Sequence, residues 1–400
     1  MKIQEISKEE YDSFLAGVFN YSFLQSSEMR DVLKASNNRI KLLALKDEEK
    51  VLAVGLAMYR KILWGQRMDL MVGASAKEKK YEYLFYKHLK DYVKSSRVLK
   101  LVIKLDHDLK TYDSEGNLLT SLDEGFSDKM RNLSYLENDG SVSSYDGFPD
   151  WHYIKDLSEF MPSNFDGLLK SFNKNAQRKI KKAADFDINV RAIGIDELEE
   201  FKSVTADTAS RQDFSDKSIQ YYNNFYKSFG DNCDFLTAEI NFDKSIAKIE
   251  SLLDGLDEKS KKNAQRIKSL TGDLQMLKEF KKSSNKNILT LANMILVYQK
   301  NEVIYFLGGS LSDYQKLPGP FVLQYEAMKR SMNKGLTRYN FFGIDGSFDG
   351  SDGVLRFKQN FNGYIVEKPG AFIYYPNPRK YKMTEFLKTI KEKLSKLVRK

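Results

Sequence analysis

The chain is 400 residues long, which exceeds one ordinary compact core and fits two domains or two domains with an appendage. Its composition, 42% hydrophobic and 13% aromatic, is that of a folded protein and excludes extensive disorder. The formal net charge is +9, with 64 Lys and Arg against 55 Asp and Glu. This balance favours anionic partners such as nucleic acid, anionic lipid or phosphorylated metabolites, and a solvated lysine-rich surface explains it equally well.

A single cysteine, Cys233, excludes an intramolecular disulfide and suits a reducing cytosol. With only three histidines in the chain and no Cys/His cluster at zinc spacing, a Cys–His nucleophile and a metal site are both disfavoured. We therefore interpret Cys233 as structural. The N-terminus lacks the apolar run of a signal peptide, and no apolar run is long enough to span a bilayer, so we expect a cytoplasmic protein.

The first part of the chain has an α/β pattern. The elements predicted there are, in order, a hairpin, a short strand, a helix and a buried strand, at 41–63, 69–72, 77–94 and 98–105. The stretch 109–150 is polar and rich in Gly, Ser and Asp, and is interpreted as an excursion from the core. A strand is predicted at 151–157 and a strongly basic helix at 165–182.

The same pattern recurs near the end of the chain. A hairpin, a helix and a strand are predicted at 288–307, 320–333 and 338–343. We infer a duplicated unit and an α/β (α+β) fold with mixed sheets. The first domain is assigned to 1–155, with a C-terminal helix at 376–400 packing on it, and the second to 156–242 and 286–375.

Two amphipathic helices are predicted between the halves of the second domain, at 243–285. Apolar residues follow three-four spacing on each side of a polar turn, which indicates an antiparallel helical hairpin of coiled-coil type. Its narrow apolar seam favours an arm that projects from the body. The alternative is an ordinary helix pair packed on a domain.

The C-terminal helix is basic and amphipathic. Its apolar side consists of Met383, Phe386, Leu387, Ile390, Leu394, Leu397 and Val398, and lysines and one arginine occupy much of the rest. Such a helix can lie on an anionic membrane surface, which here would be the inner face of the membrane. It can also dock by its apolar face onto the neighbouring domain.

No familiar catalytic signature is present. The chain lacks a G-x-S-x-G elbow, a P-loop, a dinucleotide G-x-G-x-x-G and the pyrophosphate loop of acyl-CoA-dependent acetyltransferases. We therefore expect a mechanism that depends on positioning and electrostatics more than on a covalent intermediate.

The segment 305–375 carries the most informative motifs. They are, in order, FLGGS (306–310), PGP (318–320), QYEAM (324–328), RYNFFGI (338–344), DGV (352–354) and FKQNF (357–361). Their order and spacing resemble the Fem family of peptidoglycan interpeptide-bridge aminoacyltransferases, whose pattern is Q-x-E, then R-Y-N/D-F-x-G, then G-V/L-x-x-F-K-x-x-F.

Weaker matches lie upstream. FLQSSE (23–28) followed by Lys34 resembles the family's opening, with Met29 where a Trp is usual and Asn37 near the position of a second Trp. SFN (171–173) with RKIKK (178–182) resembles the basic helix of the second domain, and RQDF (211–214) resembles the segment that follows it. The helical hairpin is similar to the arm that some family members carry.

The resemblance implies two acetyltransferase-like (GNAT) domains, an aminoacyl-tRNA donor and a UDP-linked or lipid-linked muropeptide acceptor. It also implies transfer of a small amino acid (Ala, Ser or Gly) without a cofactor. Lys358 would act at the reacting centre, Asp106 as a base, and Lys34 and Arg211 on the acceptor's diphosphate. The other expected contacts are Tyr339, Phe357 and Gly309 for substrate and Arg178, Lys181 and Lys182 for tRNA.

Aminoacyl transfer suits these residue types, because an amine attacks an ester that is already activated and a fixed cation stabilises the developing oxyanion. Each assignment also has a structural alternative. Arg211 could form a salt bridge with Asp207 or Asp213, Asp106 could be a strand-end turn residue, and Lys358 a surface lysine. Two other functions stay open: a CoA-dependent N-acyltransferase of the same fold, and a non-enzymatic tRNA-binding protein.

Overall fold

The computed structural model describes residues 1–19, 21–122, 125–144, 147–212, 215–257 and 259–398, with side chains as far as 390 in the last helix. The strands are β1 (Lys2–Glu5), β2 (Arg39–Asp47), β3 (Lys50–Ile62), β4 (Gly65–Leu70), β5 (Ser75–Ala76), β6 (Val98–Lys104), β7 (Lys110–Tyr112), β8 (Leu118–Ser121), β9 (Leu136–Glu137), β10 (Trp151–Asp156), β11 (Asn189–Ala192), β12 (Cys233–Asn241), β13 (Ile288–Tyr298), β14 (Val303–Ser310), β15 (Arg338–Gly343), β16 (Tyr364–Glu367) and β17 (Ala371–Tyr374). The α-helices are α1 (Lys8–Ala16), α2 (Ser27–Ala35), α3 (Lys79–Lys94), α4 (Phe126–Asn132), α5 (Phe165–Ser171), α6 (Lys174–Asp185), α7 (Leu198–Arg211), α8 (Ile219–Phe229), α9 (Phe242–Asp254), α10 (Ala264–Ser284), α11 (Gly319–Asn333), α12 (Gly353–Gln359) and α13 (Pro378–Val398).

The chain divides into two compact units. The first contains 1–153, 342–355 and the chain from 364 onward, and the second contains 154–341 and 356–363. The sequence assigned all of 286–375 to the second domain. The structure groups most of 342–375 with the first unit, because β17 pairs antiparallel with β6 and β16 pairs with β7. These pairings join residues far apart in sequence, which local patterns do not reveal.

A mixed sheet forms the first unit, with strand order β1-β2-β3-β4-β6-β17-β9 and β5 on β3. Pairing is antiparallel from β1 to β4 and parallel between β4 and β6. The helix between the parallel strands, α3, buries Phe85, Leu89 and Val93 against this sheet. Their spacing of four residues places them on one face, which explains why this segment is an amphipathic crossover helix.

The second unit repeats this plan. β11, β12, β13 and β14 pair antiparallel, and β14 then pairs parallel with β15. The crossover helix between the parallel strands is α11, which buries Leu323, Ala327, Met328 and Met332. The predicted duplicated α/β unit and mixed α/β fold class are therefore confirmed.

Two predicted elements differ in detail. The basic helix expected at 165–182 is two helices, because Asn173 interrupts it as the N-cap of α6 and accepts a hydrogen bond from the Ala176 amide at 2.9 Å. The excursion at 109–150 contains β7, β8, α4 and β9, and β9 extends the first unit's sheet through β17. Among the described residues, no helix is long and apolar enough to cross a membrane.

The helical hairpin exists, as α9 and α10. Lys278 pairs with Glu250 at 2.8 Å and Lys281 pairs with Asp243, so position advances along α10 as it decreases along α9 and the two helices run antiparallel. The pair packs along the second unit rather than projecting from it, because Asp273 bonds Lys182 of α6 at 2.6 Å and Arg266 bonds Asp185 at 2.8 Å. Arg266 is only two residues into α10, so the attachment extends almost to the turn between the helices.

The C-terminal helix, α13, belongs to the first unit and contacts β6. Thr384 is fully buried, whereas Met383 and Phe386 are 51% and 66% exposed. In the part of the stripe whose side chains the structure describes, Met383 and Phe386 are thus turned away from the sheet, while Leu387 is half-buried.

Candidate active site

Lys358 lies on α12, a short helix that begins where Asp352 caps it. The Asp352 carboxylate accepts hydrogen bonds from the amides of Val354 and Leu355, at 2.7 and 3.1 Å. Lys358 is 4% exposed and follows the buried Leu355 by three residues, so both lie on the inner face of the helix. A cation in such a water-poor position acts strongly on nearby negative charge.

An aromatic cluster of the second unit holds the Lys358 helix. Phe357 packs edge-on against Phe321 and Phe361, with ring centroids 5.2 and 5.5 Å apart. Phe361, in turn, contacts Phe341, which packs against Tyr339 at 4.9 Å. Phe357 is half-buried and borders the surface.

Tyr339 is fully buried, and its hydroxyl donates to the Gln324 side chain at 2.8 Å. Burial raises the pKa of this hydroxyl well above its usual value. In this structure the ring offers no surface to a substrate, and its role is to pack the strand that supports the Lys358 helix.

Asn360 fixes the carboxyl end of α12 to α6. Its amide nitrogen donates to the carbonyls of Arg356 and Phe357, and its amide oxygen accepts from Asn173 at 3.2 Å and Asn175 at 2.9 Å. Asn173 also donates its backbone N–H to the Asn360 carbonyl at 3.0 Å. The first turn of the basic helix α6 is thus bonded directly to the end of the helix that carries Lys358.

A second lysine supports the same turn. Lys155, from β10, is buried and donates from Nζ to the Asn362 carbonyl at 3.0 Å, with Nζ over the rings of Phe160 and Phe172. Burial lowers the pKa of Lys155 to about 8, against weaker opposing effects of nearby carboxylates. Asn362 has a left-handed backbone, φ 51°, so the chain turns sharply there.

The basic residues of α6 are not equivalent. Lys174, Arg178 and Lys181 are exposed at i, i+4 and i+7, and so form one basic face. Lys182 is half-buried by its 2.6 Å ion pair with Asp273 of α10. Of the three residues predicted to bind tRNA, two therefore face solvent and Lys182 ties α6 to the helix pair.

Gly309 and Arg211 meet at the end of β14. A Cβ on Gly309 would lie 2.7 Å from the Val204 carbonyl oxygen, so the glycine permits close packing of β14 on α7. Arg211 donates to the Ser312 hydroxyl at 2.7 Å and lies 3.6 Å from Asp207. The structural alternative for Arg211 is thus present through Asp207. Asp213 and Phe214, of the predicted RQDF segment, lie outside the described residues.

Asp106 lies in the first unit, just after β6, where Asp106 and Asp108 share one lysine. Nζ of Lys368 donates to Asp106 at 2.7 Å and to Asp108 at 2.8 Å, and the lysine side chain is 5% exposed. The two carboxylates raise the pKa of Lys368, although burial alone acts in the opposite direction and is the largest single influence. The geometry therefore gives Asp106 a structural partner, Lys368.

Lys34 occupies the last turn of α2, also in the first unit. It is exposed and forms no ion pair with any residue that the structure describes. Met29 is buried in the core, and Asn37 lies in a left-handed turn just after the helix, φ 60°. Lys34 is therefore accessible to an anionic ligand, as the prediction of diphosphate binding requires.

Three residues with clear roles in these arrangements were not predicted. Lys155 stands in an apolar strand pattern, and a lysine at a buried strand position is an unusual signal. Asn360 lies inside the FKQNF motif, which does not indicate its contacts with Asn173 and Asn175. Lys368 carries no local signal, because its partners are 262 and 260 residues away.

Comparison with known proteins identifies the family of the chain. The model of the FemAB family matches residues 6–389. The chain belongs to the FemAB family. It is 28% identical over 343 residues to the aminoacyltransferase FemA of Staphylococcus aureus (strain MW2), an alignment that covers 78% of this chain and 79% of FemA. Aminoacyltransferase is accordingly the activity class of this FemAB-family chain, as the sequence predicted.

Solved structures show the same fold. A crystal structure of FemX superposes with a TM-score of 0.72 at 20% identity, covering 96% of this chain and 99% of FemX. A tandem GNAT protein from the clavulanic acid biosynthesis pathway superposes with a TM-score of 0.51 at 7% identity, covering 94% of this chain and 99% of that protein. The prediction of two acetyltransferase-like domains is confirmed by these likenesses.

Proposed function

We propose that this FemAB-family chain transfers a small amino acid, Ala, Ser or Gly, from aminoacyl-tRNA to the stem-peptide amine of a peptidoglycan precursor. The acceptor is lipid-linked or UDP-linked, and a lipid-linked acceptor would place the reaction at the inner membrane face. The observation that carries the proposal is Lys358, a buried cation on a helix whose two ends are fixed by Asp352 and Asn360. Membership of the FemAB family and similarity to FemA support it.

The reaction needs no protein nucleophile. The acceptor amine attacks the ester carbonyl of the aminoacyl-tRNA, a C–N bond forms, and the carbonyl oxygen takes negative charge. The Lys358 ammonium stabilises that charge, and its fixed position means that little reorganisation is needed when the charge develops. The C–O bond to the ribose then breaks, and the proton lost by the amine passes, directly or through water, to the departing ribose oxygen.

The exposed basic face of α6, at Lys174, Arg178 and Lys181, is proposed to contact the phosphates of the tRNA. Lys34, exposed on α2, is proposed to bind the diphosphate of the acceptor. No cofactor is required by this chemistry, since the aminoacyl ester supplies the activation.

The test is transfer of radiolabelled amino acid from charged tRNA to lipid-linked and UDP-linked precursors, with wild type, Lys358→Met and Arg356→Met side by side. Arg356 is a matched control, because it is an exposed cation two residues earlier on the same helix. We expect Lys358→Met to lower kcat by about 100-fold or more, and Arg356→Met to have little effect. If neither kind of precursor accepts label from tRNA charged with Ala, Ser or Gly, the proposal fails, and CoA thioesters are the next donors to test.

A further inference from the structure

α13 presents Met383, Phe386 and Ile390 to solvent, whereas Leu387 is half-buried. Its inner side holds the buried Thr384, the half-buried Glu385, and Tyr381, whose ring lies 4.4 Å from that of Tyr375. Met383, Phe386 and Ile390 follow one another at three-four spacing, and they are 51%, 66% and 37% exposed. A helix that packs on its own domain normally turns such a stripe inward. Here the stripe is left for another surface.

A second exposed apolar feature lies in the same unit, at the β3–β4 turn. The turn consists of Leu63 and Trp64, since Ile62 pairs with Gly65. Trp64 is 53% exposed and has a left-handed backbone, φ 61°. Bulky residues rarely adopt that conformation, which glycine or asparagine accommodates without strain. The chain therefore has a large aromatic ring at an exposed turn where the backbone geometry favours a small residue.

Both features lie at the same end of the first unit's sheet. The amide of Gln66, two residues after Trp64, donates to the Arg97 carbonyl at 3.0 Å, just before β6 begins. β17 runs antiparallel to β6 and leaves the sheet at Tyr374, opposite Leu101, and α13 begins four residues later. The Trp64 tip and α13 thus emerge near the start of β6.

The surroundings of both features are basic. α13 contains seven Lys and Arg against two Glu. Lys61 and Arg97 are exposed beside the Trp64 tip, and Arg379 and Lys382 are exposed along the stripe. A second copy of a chain with net charge +9 would be repelled by such a surface, whereas an anionic layer would be attracted.

We propose that Leu63, Trp64, Met383, Phe386 and Ile390, the α13–Trp64 surface, bind the face of a bilayer that contains anionic phospholipid. The apolar side chains enter the boundary between headgroups and acyl chains, and the flanking lysines and arginines remain among the anionic headgroups. Tryptophan suits this boundary because its ring is apolar and its indole N–H is a donor. The inference rests on the proposed function in one respect only: membrane binding would bring the enzyme to a lipid-linked acceptor.

The experiment measures binding of the full chain to vesicles of phosphatidylcholine with and without phosphatidylglycerol, in the absence of tRNA and precursor. The variants are Trp64→Gly, which suits the left-handed backbone, and Phe386→Ser. Leu118→Ser and Leu119→Ser are matched controls, because these leucines are 58% and 60% exposed on β8, outside the proposed surface. We expect binding only to phosphatidylglycerol vesicles, reduced about tenfold by each of the two variants and unchanged by the controls.

Tryptophan fluorescence gives a site-specific reading, because the chain has only two tryptophans, Trp64 and Trp151. With Trp151→Phe, emission should shift to the blue on addition of phosphatidylglycerol vesicles and be quenched by brominated lipid. If Trp151→Phe fails to fold, Trp64→Phe serves instead, and the vesicle-induced shift of the wild type should disappear.

Equal binding of the wild type to both kinds of vesicle, or undiminished binding by Trp64→Gly and Phe386→Ser, would overturn the inference. A lipid-free dimer in sedimentation velocity that Phe386→Ser dissociates would also overturn it, since the occupant would then be a second copy. Transfer to the UDP-linked acceptor should be unchanged in both variants. If the chain binds vesicles normally but transfers no amino acid, the proposed function is wrong and the proposed membrane-binding surface is still supported.

Discussion

Substituting the two carboxylates that hold Lys368 separates a structural role for Asp106 from a catalytic one. Asp106 and Asp108 accept from the same Nζ at 2.7 and 2.8 Å, and their side chains are 25% and 31% exposed. Asp108→Asn is therefore a control for Asp106→Asn with nearly the same geometry. We expect both variants to weaken the fold to a similar extent and to leave kcat within about threefold of the wild type.

The expected loss of folding free energy depends on which charged groups remain after each substitution. A hydrogen bond to a charged group contributes about 1.5–3 kcal/mol, and in each single variant the other carboxylate still neutralises the lysine, so the loss should be roughly 1–2 kcal/mol. Lys368→Met leaves two adjacent carboxylates without their cation, and we expect a larger loss of about 3–5 kcal/mol. Combining Asp106→Asn with Lys368→Met should cost less than the sum, because the variants share one interaction.

Urea unfolding of the four variants measures these differences, and single-turnover transfer from charged tRNA measures the chemical step. A loss of about 100-fold or more in Asp106→Asn, with Asp108→Asn nearly as active as the wild type, would refute the structural assignment and identify Asp106 as the proton acceptor.

Three further outcomes are expected. Burial lowers the pKa of Lys155 to about 8, so the folded state releases this proton near pH 8, whereas the unfolded state retains it to about pH 10.5. The free energy of unfolding of the wild type should therefore rise relative to that of Lys155→Met, by roughly 2 kcal/mol between about pH 7.5 and 9.5. In tRNA binding, Lys181→Ala should flatten the dependence of log affinity on log salt by about one unit, and Lys182→Ala should do so less, because Lys182 is paired with Asp273. Burial raises the pKa of Cys233 to about 12, so iodoacetamide should not alkylate the folded chain near neutral pH, and Cys233→Ser should retain transfer; rapid alkylation or lost activity would contradict the structural interpretation.

Local sequence patterns predicted helices and strands in both units, because these elements follow from apolar spacing and turn residues that are close in sequence. The β2–β3 hairpin and the α3 crossover follow apolar periodicity and a polar turn, and α11 follows the same rule in the second unit. The break between α5 and α6 was missed, since Asn173 resembles any polar helix residue until its capping bond is seen. The unit boundary was misplaced for a different reason, because β17 joins β6 across more than 260 residues of sequence.

For the candidate site, too, the sequence predicts some features and not others. The motif predicts Lys358 as a site residue but not its burial, because the helix that carries it is held by rings distant in sequence, such as Phe321 against Phe357 and Phe341 against Phe361. Asp106 is expected as a base only because the family resemblance implies it, and local patterns do not reveal its partner Lys368, which lies 262 residues away in sequence. For α13 the sequence left open whether the apolar stripe faces a membrane or the neighbouring domain, since amphipathicity shows which residues share a face and not what covers it.

The bond between Asn173 and Asn360 links two functions that the sequence treats separately. Asn173 caps α6, whose exposed lysines and arginine are the proposed tRNA contact, and Asn360 caps the end of α12, which carries Lys358. The two asparagines are 187 residues apart in sequence and in direct contact in the second unit. A cation that must meet a developing oxyanion needs its position fixed relative to the donor, since misplacement by about 1 Å costs on the order of 100-fold in rate. The helix that carries Lys358 is bonded to the first turn of α6, so if α6 holds the tRNA, this contact would fix the position of the cation relative to the donor.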